Sequence, residues 1–496
     1  MHESGDMLVE EENKPQEPDK GSAFIKIKKF PFIMGIFMLI FLTAAITTLA
    51  LTFGDEKVQS IAPSVANQRE EFNKLYSTYD TIKKKYFTEV DDNTLINGAI
   101  NGMLESLDDP YSDYMNEEEA ANFHQSISSS FEGIGAEIQE QDSKIMVVSP
   151  IKGSPAEKAG LKPNDVILSV NGKSLQGMSS SEAVTHIRGK KGTKVDLMIS
   201  RANAEPMKVT IVRDTIPIET VYAEMLPDGI AKIQVTSFSD DTAKELRTAL
   251  AEMQEKNMKG LILDLRGNPG GLLDQAIEIA SMFVPNGEII LQVEDRSGKK
   301  EIIKSENDGT LETPMVVVID KGSASASEIV AGAVSESAGI QLIGEKTFGK
   351  GTVQTAEDFK DGSNFKFTAA RWLTPKGNWI NEKGVEPDVA VSLPAYANLP
   401  FISPDKELKE SDSSAEVKGA EEMLKAAGYN PGKVDGFYDQ DTEAAVLKFQ
   451  KDNKLKATGT IKDETTMKLM ETLREKILKN DTQVKKAIEI LKEEMK

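Results

Sequence analysis

The sequence predicts a multidomain α/β protein: an N-terminal helical region, a β-rich module, a core of repeated strand–turn–helix units, and a small all-α module near the C-terminus. Three observations carry that prediction. Residues 65–105 place apolar side chains at helical spacing; short apolar runs separated by turns such as Lys162-Pro-Asn-Asp165 and Asn171-Gly172 crowd residues 131–215; and from 216 to 400 strand-like runs lead through tight turns into helices.

At 496 residues, 39% hydrophobic and 28% charged, the chain is long enough for several cores. A formal net charge of -21 argues against nucleic acid as a partner, because neutralising phosphates requires a basic surface. Cysteine is absent, which removes disulfides, thiolate nucleophiles and thiolate metal sites. With His2, His124 and His186 the sole histidines, histidine-based catalysis is nearly excluded, and neither a metal nor another cofactor is expected.

Residues 1–29 read as a disordered cytosolic tail. Phe30 to Phe53 is uncharged, and at ~1.5 Å per residue it spans ~36 Å, enough to cross a bilayer with some tilt. Lys26, Lys28 and Lys29 precede it, so the positive-inside bias predicts a single-pass anchor with the remainder of the chain extracytoplasmic. The alternative is a cleaved signal peptide, whose apolar region would be unusually long and which lacks a small-x-small site before Gly54. In the helical region, 62–130, Phe72, Leu75, Ile82 and Tyr86, then Leu95, Ile96, Ile100, Met103 and Leu104, predict two amphipathic helices stopped by Pro110.

In the core, 216–400, Gly260 to Leu265 leads through Arg266-Gly-Asn-Pro-Gly-Gly271 into a helix, and Met315 to Ile319 leads through Asp320 to Ser325 into another. The second turn reads Lys321-Gly-Ser323-Ala-Ser325-Ala-Ser327-Glu328. A serine at such a helix N-terminus has free backbone N–H groups beside it, worth about 3 to 4 kcal/mol when aimed at a developing oxyanion; the Arg266–Gly271 turn offers a second donor. The competing reading is that these serines are caps and small-residue packing. Serine needs a base, and without histidine the candidates are a carboxylate or a lysine of lowered pKa. Lys350, between Gly349 and Gly351, fits a held lysine, although a solvated turn lysine has the same local sequence; Gln354, four residues on, would share its face in an extended segment. The surrounding Gly344-Glu-Lys-Thr-Phe-Gly-Lys-Gly-Thr352 approaches a nucleotide-binding loop but has Gly351 where a magnesium-binding hydroxyl is required.

Together, Gly322–Ile329, Phe348–Gln354 and Asp264–Gly271 resemble the carboxyl-terminal processing (tail-specific) serine peptidases, over about residues 70 to 392 and including Leu107–Tyr114, Phe131–Ala136 and Gly384–Asp388. The resemblance implies a crotonase/ClpP-like peptidase core of ββα units, Ser325 as nucleophile, Lys350 as general base and Gln354 as its orienting partner. It further implies an oxyanion hole from the N–H of Ala326 and of Gly271 or Gly270. One departure is Glu336, where some members carry Asp.

Residues 131–215 resemble a PDZ domain, whose loop Gly133-Ile134-Gly135-Ala136 would take a C-terminal carboxylate while the peptide adds a strand to the sheet edge; Ala183, Val184 and Ile187 would line the opposite helix. The resemblance makes Arg188 a regulatory candidate coupling this module to catalysis; a solvated arginine at the helix end is the simpler account. After a charged linker, 401–415, residues 416–473 resemble a peptidoglycan-binding domain, with Thr442 read as a helix cap, and 474–496 reads as one charged C-terminal helix. The expected function is a Ser/Lys endopeptidase acting on polypeptides with free, apolar C-termini, held at peptidoglycan and membrane, and homo-oligomeric through residues 65–105 and the tail. A noncatalytic scaffold binding chain ends and cell wall is the alternative.

Overall fold

The computed structural model describes residues 70–141, 143–201, 204–307 and 313–496. The predicted tail, 1–29, and membrane span, 30–53, lie outside the described residues. The chain divides into two compact units, Met1–Leu95 and Ile96–Lys496.

In the first unit, the helix Asn73–Lys85 follows a short 3₁₀ turn, Glu70–Phe72. Lys83 Nζ pairs with Asp92 Oδ1 at 2.7 Å, and the Tyr79 hydroxyl donates to the same oxygen at 2.6 Å. Asp92 opens the second predicted helix, Asp92–Glu105. That helix ends before Pro110: Asp108 takes φ 52°, a conformation no helix continues through. Both helices exist, yet none of their residues is buried.

The larger unit is organised by a six-stranded sheet in the order Val221–Met225, Ile230–Val235, Gly260–Asp264, Met315–Ile319, Gln341–Gly344, Val389–Ala390. Its first pair is antiparallel and the others parallel. Strand alternation assigns the two faces. Leu261, Leu263, Val317 and Ile319 pack with the helices Thr242–Glu255, Leu273–Ser281 and Ala326–Ala338. Ile262, Val316, Val318 and Ile343 face the other way, onto Ala487 and Leu491 of the C-terminal helix Thr482–Glu494. A second sheet joins Asp113–Met115, Asn364–Leu373, Ile289–Asp295 and Lys300–Lys304, with Thr352–Asp358 paired to Asn364–Leu373.

The inserted β-rich module leaves and re-enters the core through one ribbon, Ser130–Gly133 against Asp214–Pro217. It has its own core, including Ile145, Val147, Ile167, Leu197 and Ile199. Arg213, buried beside that ribbon, donates to the carbonyls of Ile187 and His186 and so caps the C-terminus of the helix Ser180–Ile187.

Three sequence expectations change near the C-terminus. The stretch 401–415 is part of the helical module and not a linker: Ile402 and Leu408 are buried in its core, and Leu408 exchanges backbone hydrogen bonds with Ile461. Charged neighbours masked two isolated apolar anchors. The tail 474–496 is not one helix, because Asp463–Lys479 runs past residue 474 and the chain breaks at Asn480–Asp481 before Thr482–Glu494. The apolar stripe of that last helix is spent within the chain, and burying a leucine such as Leu491 contributes about 1.5–3 kcal/mol. Finally, Asp439 caps the helix Gln440–Asp452, while the Thr442 hydroxyl is buried and donates to Pro431 O at 3.2 Å.

Candidate active site

Strands Gly260–Asp264 and Met315–Ile319 lie side by side in parallel, so the turns leaving their C-terminal ends meet, the usual place for a site in an α/β sheet. Hydrogen bonds stitch the turns together. Ser323 Oγ donates to Leu265 O at 2.8 Å, Ala324 N to Asn268 O at 3.0 Å, and Ser327 Oγ to Asn268 O at 2.9 Å. This sorts the three serines. Ser323 and Ser327 are buried and committed to backbone carbonyls, whereas Ser325 is half-buried and stands at the N-terminus of Ala326–Ala338 with φ 52° and ψ −113°. Such a conformation costs of order 1–3 kcal/mol and persists only where the surroundings enforce it.

Glu328 enforces it. Its carboxylate is fully buried and accepts four hydrogen bonds: Oε2 from Ser325 N and Lys350 N, both at 2.8 Å, and Oε1 from Thr347 Oγ1 at 2.6 Å and Gly349 N at 2.7 Å. One carboxylate oxygen therefore holds the backbone nitrogens of Ser325 and Lys350 within two hydrogen-bond lengths of each other. Gly349 and Gly351 permit the approach of the lysine segment. A side chain at 351 would meet Asn381 N at 2.7 Å and Trp379 Nε1 at 2.9 Å, and one at 349 would meet Gly384 N at 2.9 Å.

The two alternatives for the second oxyanion donor separate. Gly270 N already donates to Asn268 Oδ1 at 2.9 Å. Neither Ala326 N nor Gly271 N has a hydrogen-bond acceptor among the described residues, which leaves these two N–H groups available. Gly270 contributes space: a Cβ there would meet Ala324 O at 2.8 Å, Ser325 Cβ at 2.9 Å and Ala326 N at 3.0 Å, with φ at +101°. Gly270→Ala is expected to lower kcat by roughly 10² or more, the scale of losing an oxyanion donor, with KM little changed; steady-state kinetics on a peptide substrate check it.

Lys350 Nζ sits 4.7 Å from the centre of the Tyr111 ring and makes no hydrogen bond to Ser325 Oγ. Burial pushes its pKa below the ordinary lysine value and the Lys366 charge lowers it further, while Asp109 and Glu328 oppose them. Lysine basicity should respond accordingly: Lys366→Gln is expected to move the midpoint of a lysine-dependent pH–rate profile upward, and Asp109→Asn to move it downward. Gln354 makes no hydrogen bond to the lysine. A register shift between Val353 and Gln354 breaks the simple alternation expected from spacing, and Gln354 Nε2 donates to Thr352 Oγ1 at 2.9 Å and Thr368 Oγ1 at 3.1 Å. Glu336 is held elsewhere, accepting from Lys376 N at 2.7 Å.

Sequence reasoning overlooked Glu328, Tyr111 and Asp109 as parts of this site. The S-x-x-E pattern Ser325 to Glu328 was a signal for the first, since it is the spacing of a capping box and the acid stands in an otherwise small and apolar helix. Tyr111 and Asp109 carried no comparable local signal.

Comparison with known proteins finds four matching family models along the chain. Residues 229–391 match the model of peptidase family S41, 37–119 that described as the activating protease CtpB N-terminal domain, 125–200 the PDZ domain, and 413–470 the putative peptidoglycan binding domain. The chain is 50% identical to the carboxy-terminal processing protease CtpA of Bacillus subtilis (strain 168), over 93% of this chain and 99% of that protein. The chain belongs to the carboxy-terminal processing serine proteases of family S41. It is also 42% identical to the B. subtilis carboxy-terminal processing protease CtpB, over 88% of this chain and 92% of that one. Among solved structures it is similar to a photosystem II D1 C-terminal processing protease, at 30% identity and a TM-score of 0.40, covering 65% of this chain and 88% of that one.

In this protease the predicted carboxylate loop of the PDZ domain follows the entry strand Ser130–Gly133. Ile134 N and Gly135 N have no acceptor among the described residues. The Ile134 side chain is buried in the domain core. Gly135, at φ +72°, is required there because a Cβ would lie 2.5 Å from Ser154 Cβ. Across the domain, Ala183 and Ile187 are core residues, and Val184 is half-buried. Arg188 Nη1 donates to Gln125 Oε1 at 2.7 Å, and its guanidinium lies 5.0 Å from the Phe131 ring centre. It thus bridges the end of the PDZ helix to the helix Glu117–Ile127 and the connecting ribbon, and touches neither Ser325 nor Lys350.

Proposed function

We propose that this protease is a Ser/Lys-dyad endopeptidase that recognises protein C-termini through its PDZ domain. The observation that supports this reading best is the shared carboxylate of Glu328, which ties the backbone of a strained, uncommitted serine to the backbone of a desolvated lysine. A substrate C-terminus docks on the loop Gly133–Ala136. Neutral Lys350 takes the proton of Ser325 Oγ as that oxygen attacks a peptide carbonyl; the N–H groups of Ala326 and Gly271 hold the oxyanion; the lysine ammonium gives the proton to the leaving amine; and water resolves the acyl-enzyme. With Lys350 resting on Tyr111 and Gln354 on two threonines, catalysis needs a side-chain movement that brings Nζ to Ser325, with Gln354 then free to orient it.

The uncharged segment Phe30–Phe53 anchors the chain with residues 1–29 in the cytosol, and the peptidoglycan-binding module holds the extracytoplasmic protease at the cell wall, where it cleaves proteins with free, apolar C-termini. Exposed Leu75, Tyr76, Tyr86 and Phe87 in the N-terminal helical region supply an apolar surface for a homo-oligomer. The test incubates the full-length protein and its Ser325→Ala variant with extracytoplasmic proteins and identifies new chain ends by mass spectrometry. New ends formed by the wild type alone are expected; identical ends, or none, in both samples would favour a noncatalytic scaffold.

A further inference from the structure

The glycine turn that carries the Gly271 N–H is anchored by a part of the chain more than two hundred residues downstream. Arg266 opens that turn, and Nε and Nη2 donate to Asp264 Oδ1 and Oδ2 at 2.8 and 2.6 Å. The guanidinium has two further partners, both from the C-terminal segment: Nη2 pairs with Asp481 Oδ2 at 2.8 Å, and Nη1 donates to Gln483 Oε1 at 2.9 Å. The ion pairs are largely withdrawn from water, with side-chain exposures of 13% for Arg266, 2% for Asp264 and 12% for Asp481. Gln483 is itself fully buried and locked by Nε2 donating to Val391 O at 2.8 Å.

The turn has reason to need an outside anchor. Gly267, Gly270 and Gly271 have φ of +65°, +101° and +149°, a run that glycine adopts freely and equally leaves freely. An oxyanion donor must be held within about 0.5 Å of its productive position to do its work. Packing explains why Ala487 and Leu491 cover the sheet and capping explains an aspartate at the mouth of the helix; neither requires its second oxygen to pair with the first residue of the oxyanion turn.

We propose that Asp481, acting through Arg266, is a positioning residue for the oxyanion-binding turn, so that the C-terminal helix is a working part of the protease. This rests on the Ser325 reading above. The helix Asp463–Lys479 of the peptidoglycan-binding module runs through Asn480 directly into Asp481, and the module is thereby joined to the same anchor.

Asp481 has two separable roles, which makes the proposal testable. Oδ1 caps the last helix by accepting from Gln483 N at 3.0 Å and Val484 N at 2.9 Å, while Oδ2 takes Arg266. Asp481→Asn keeps a capping oxygen and the side-chain volume but turns an amide donor toward the guanidinium. In the full-length protein, kcat and KM on a peptide with an apolar C-terminus, inhibition by a peptide aldehyde that forms an oxyanion adduct on the serine, and melting temperature are compared for wild type, Ser325→Ala and Asp481→Asn. Asp481→Asn is expected to lower kcat by about tenfold and weaken the aldehyde by a similar factor, both taken per folded enzyme, with KM within about twofold and the melting temperature lowered by about 2–6 °C, because the amide leaves a largely buried donor unpaired. Should that variant fold poorly, Asp481→Ser, which also keeps a capping oxygen, is read by the same measurements. Wild-type kcat and aldehyde affinity in the asparagine variant overturn the proposal, as does a loss of kcat that merely tracks the unfolded fraction while aldehyde affinity per folded enzyme is kept. An activity that Ser325→Ala leaves intact overturns both the dyad and this inference; one abolished by Ser325→Ala but indifferent to Asp481 overturns the inference alone.

Discussion

Lys350→Ala is expected to lower kcat/KM by at least about 10³-fold, because a serine hydroxyl without a base is a poor nucleophile. Folding should survive, since the structural hydrogen bonds at this position are made by the backbone, its N–H donating to Glu328 and its carbonyl accepting from Trp372 Nε1, and the side chain makes no hydrogen bond among the described residues, its contact being with the Tyr111 ring. Lys350→Arg should be equally inactive: a guanidinium keeps the charge but does not give up its proton. The sign of the pH dependence follows from the neutral amine being the active form. Activity rises with pH as Lys350 loses its proton, and because burial lowers its pKa the rise is centred below the ordinary lysine value. Kinetics across pH 5 to 9, with circular dichroism melts of each variant, would check this; a flat profile in the wild type would exclude the lysine as base.

Glu328→Ala should damage both stability and catalysis. It leaves Ser325 N, Lys350 N, Gly349 N and the Thr347 hydroxyl facing a cavity where a buried carboxylate accepted all four. Each orphaned buried donor costs about 1–3 kcal/mol, and relaxation of the network keeps the total nearer 3–5 kcal/mol than the full sum. Glu328→Gln is the sharper probe. Each carboxylate oxygen accepts two donors, so whichever way the amide is turned its NH₂ faces a pair of donors and one pair is lost. The rate of Ser325 labelling by a fluorophosphonate is expected to fall by roughly 10² in both variants, the scale of a small misplacement of reacting groups. Melting temperature should drop more for alanine than for glutamine. Labelling of the glutamine variant at the wild-type rate would show that the clamp is dispensable.

Much of this was legible in the residues. The alternation of apolar strands with glycine turns foretold the α/β core, and the S-A-S-A-S and G-K-G runs marked the two sides of the site through joint spacing, although neither says much alone. The spacing argument failed for Gln354, because parity assumes an unbroken strand and the register shifts one residue before it. It failed also for 401–415, where two buried apolar residues stood among charges, and for the tail, whose amphipathic stripe announced that something would cover it without saying what.

Local chemistry determined which kinds of group this protein has available: no thiolate, almost no imidazole, small residues at two strand-to-helix turns, and one lysine flanked by glycines. Those are properties of composition and of near neighbours in the chain, and a sequence states them directly. Only tertiary structure decided which serine is uncommitted, which glycine N–H is free, that Glu328 joins Ser325 to Lys350, and that Asp481 reaches Arg266. Each of these depends on hydrogen bonds between residues far apart in the chain, whose partners are chosen by the packing of the sheet and its two covering layers and carry no periodicity that a sequence could display.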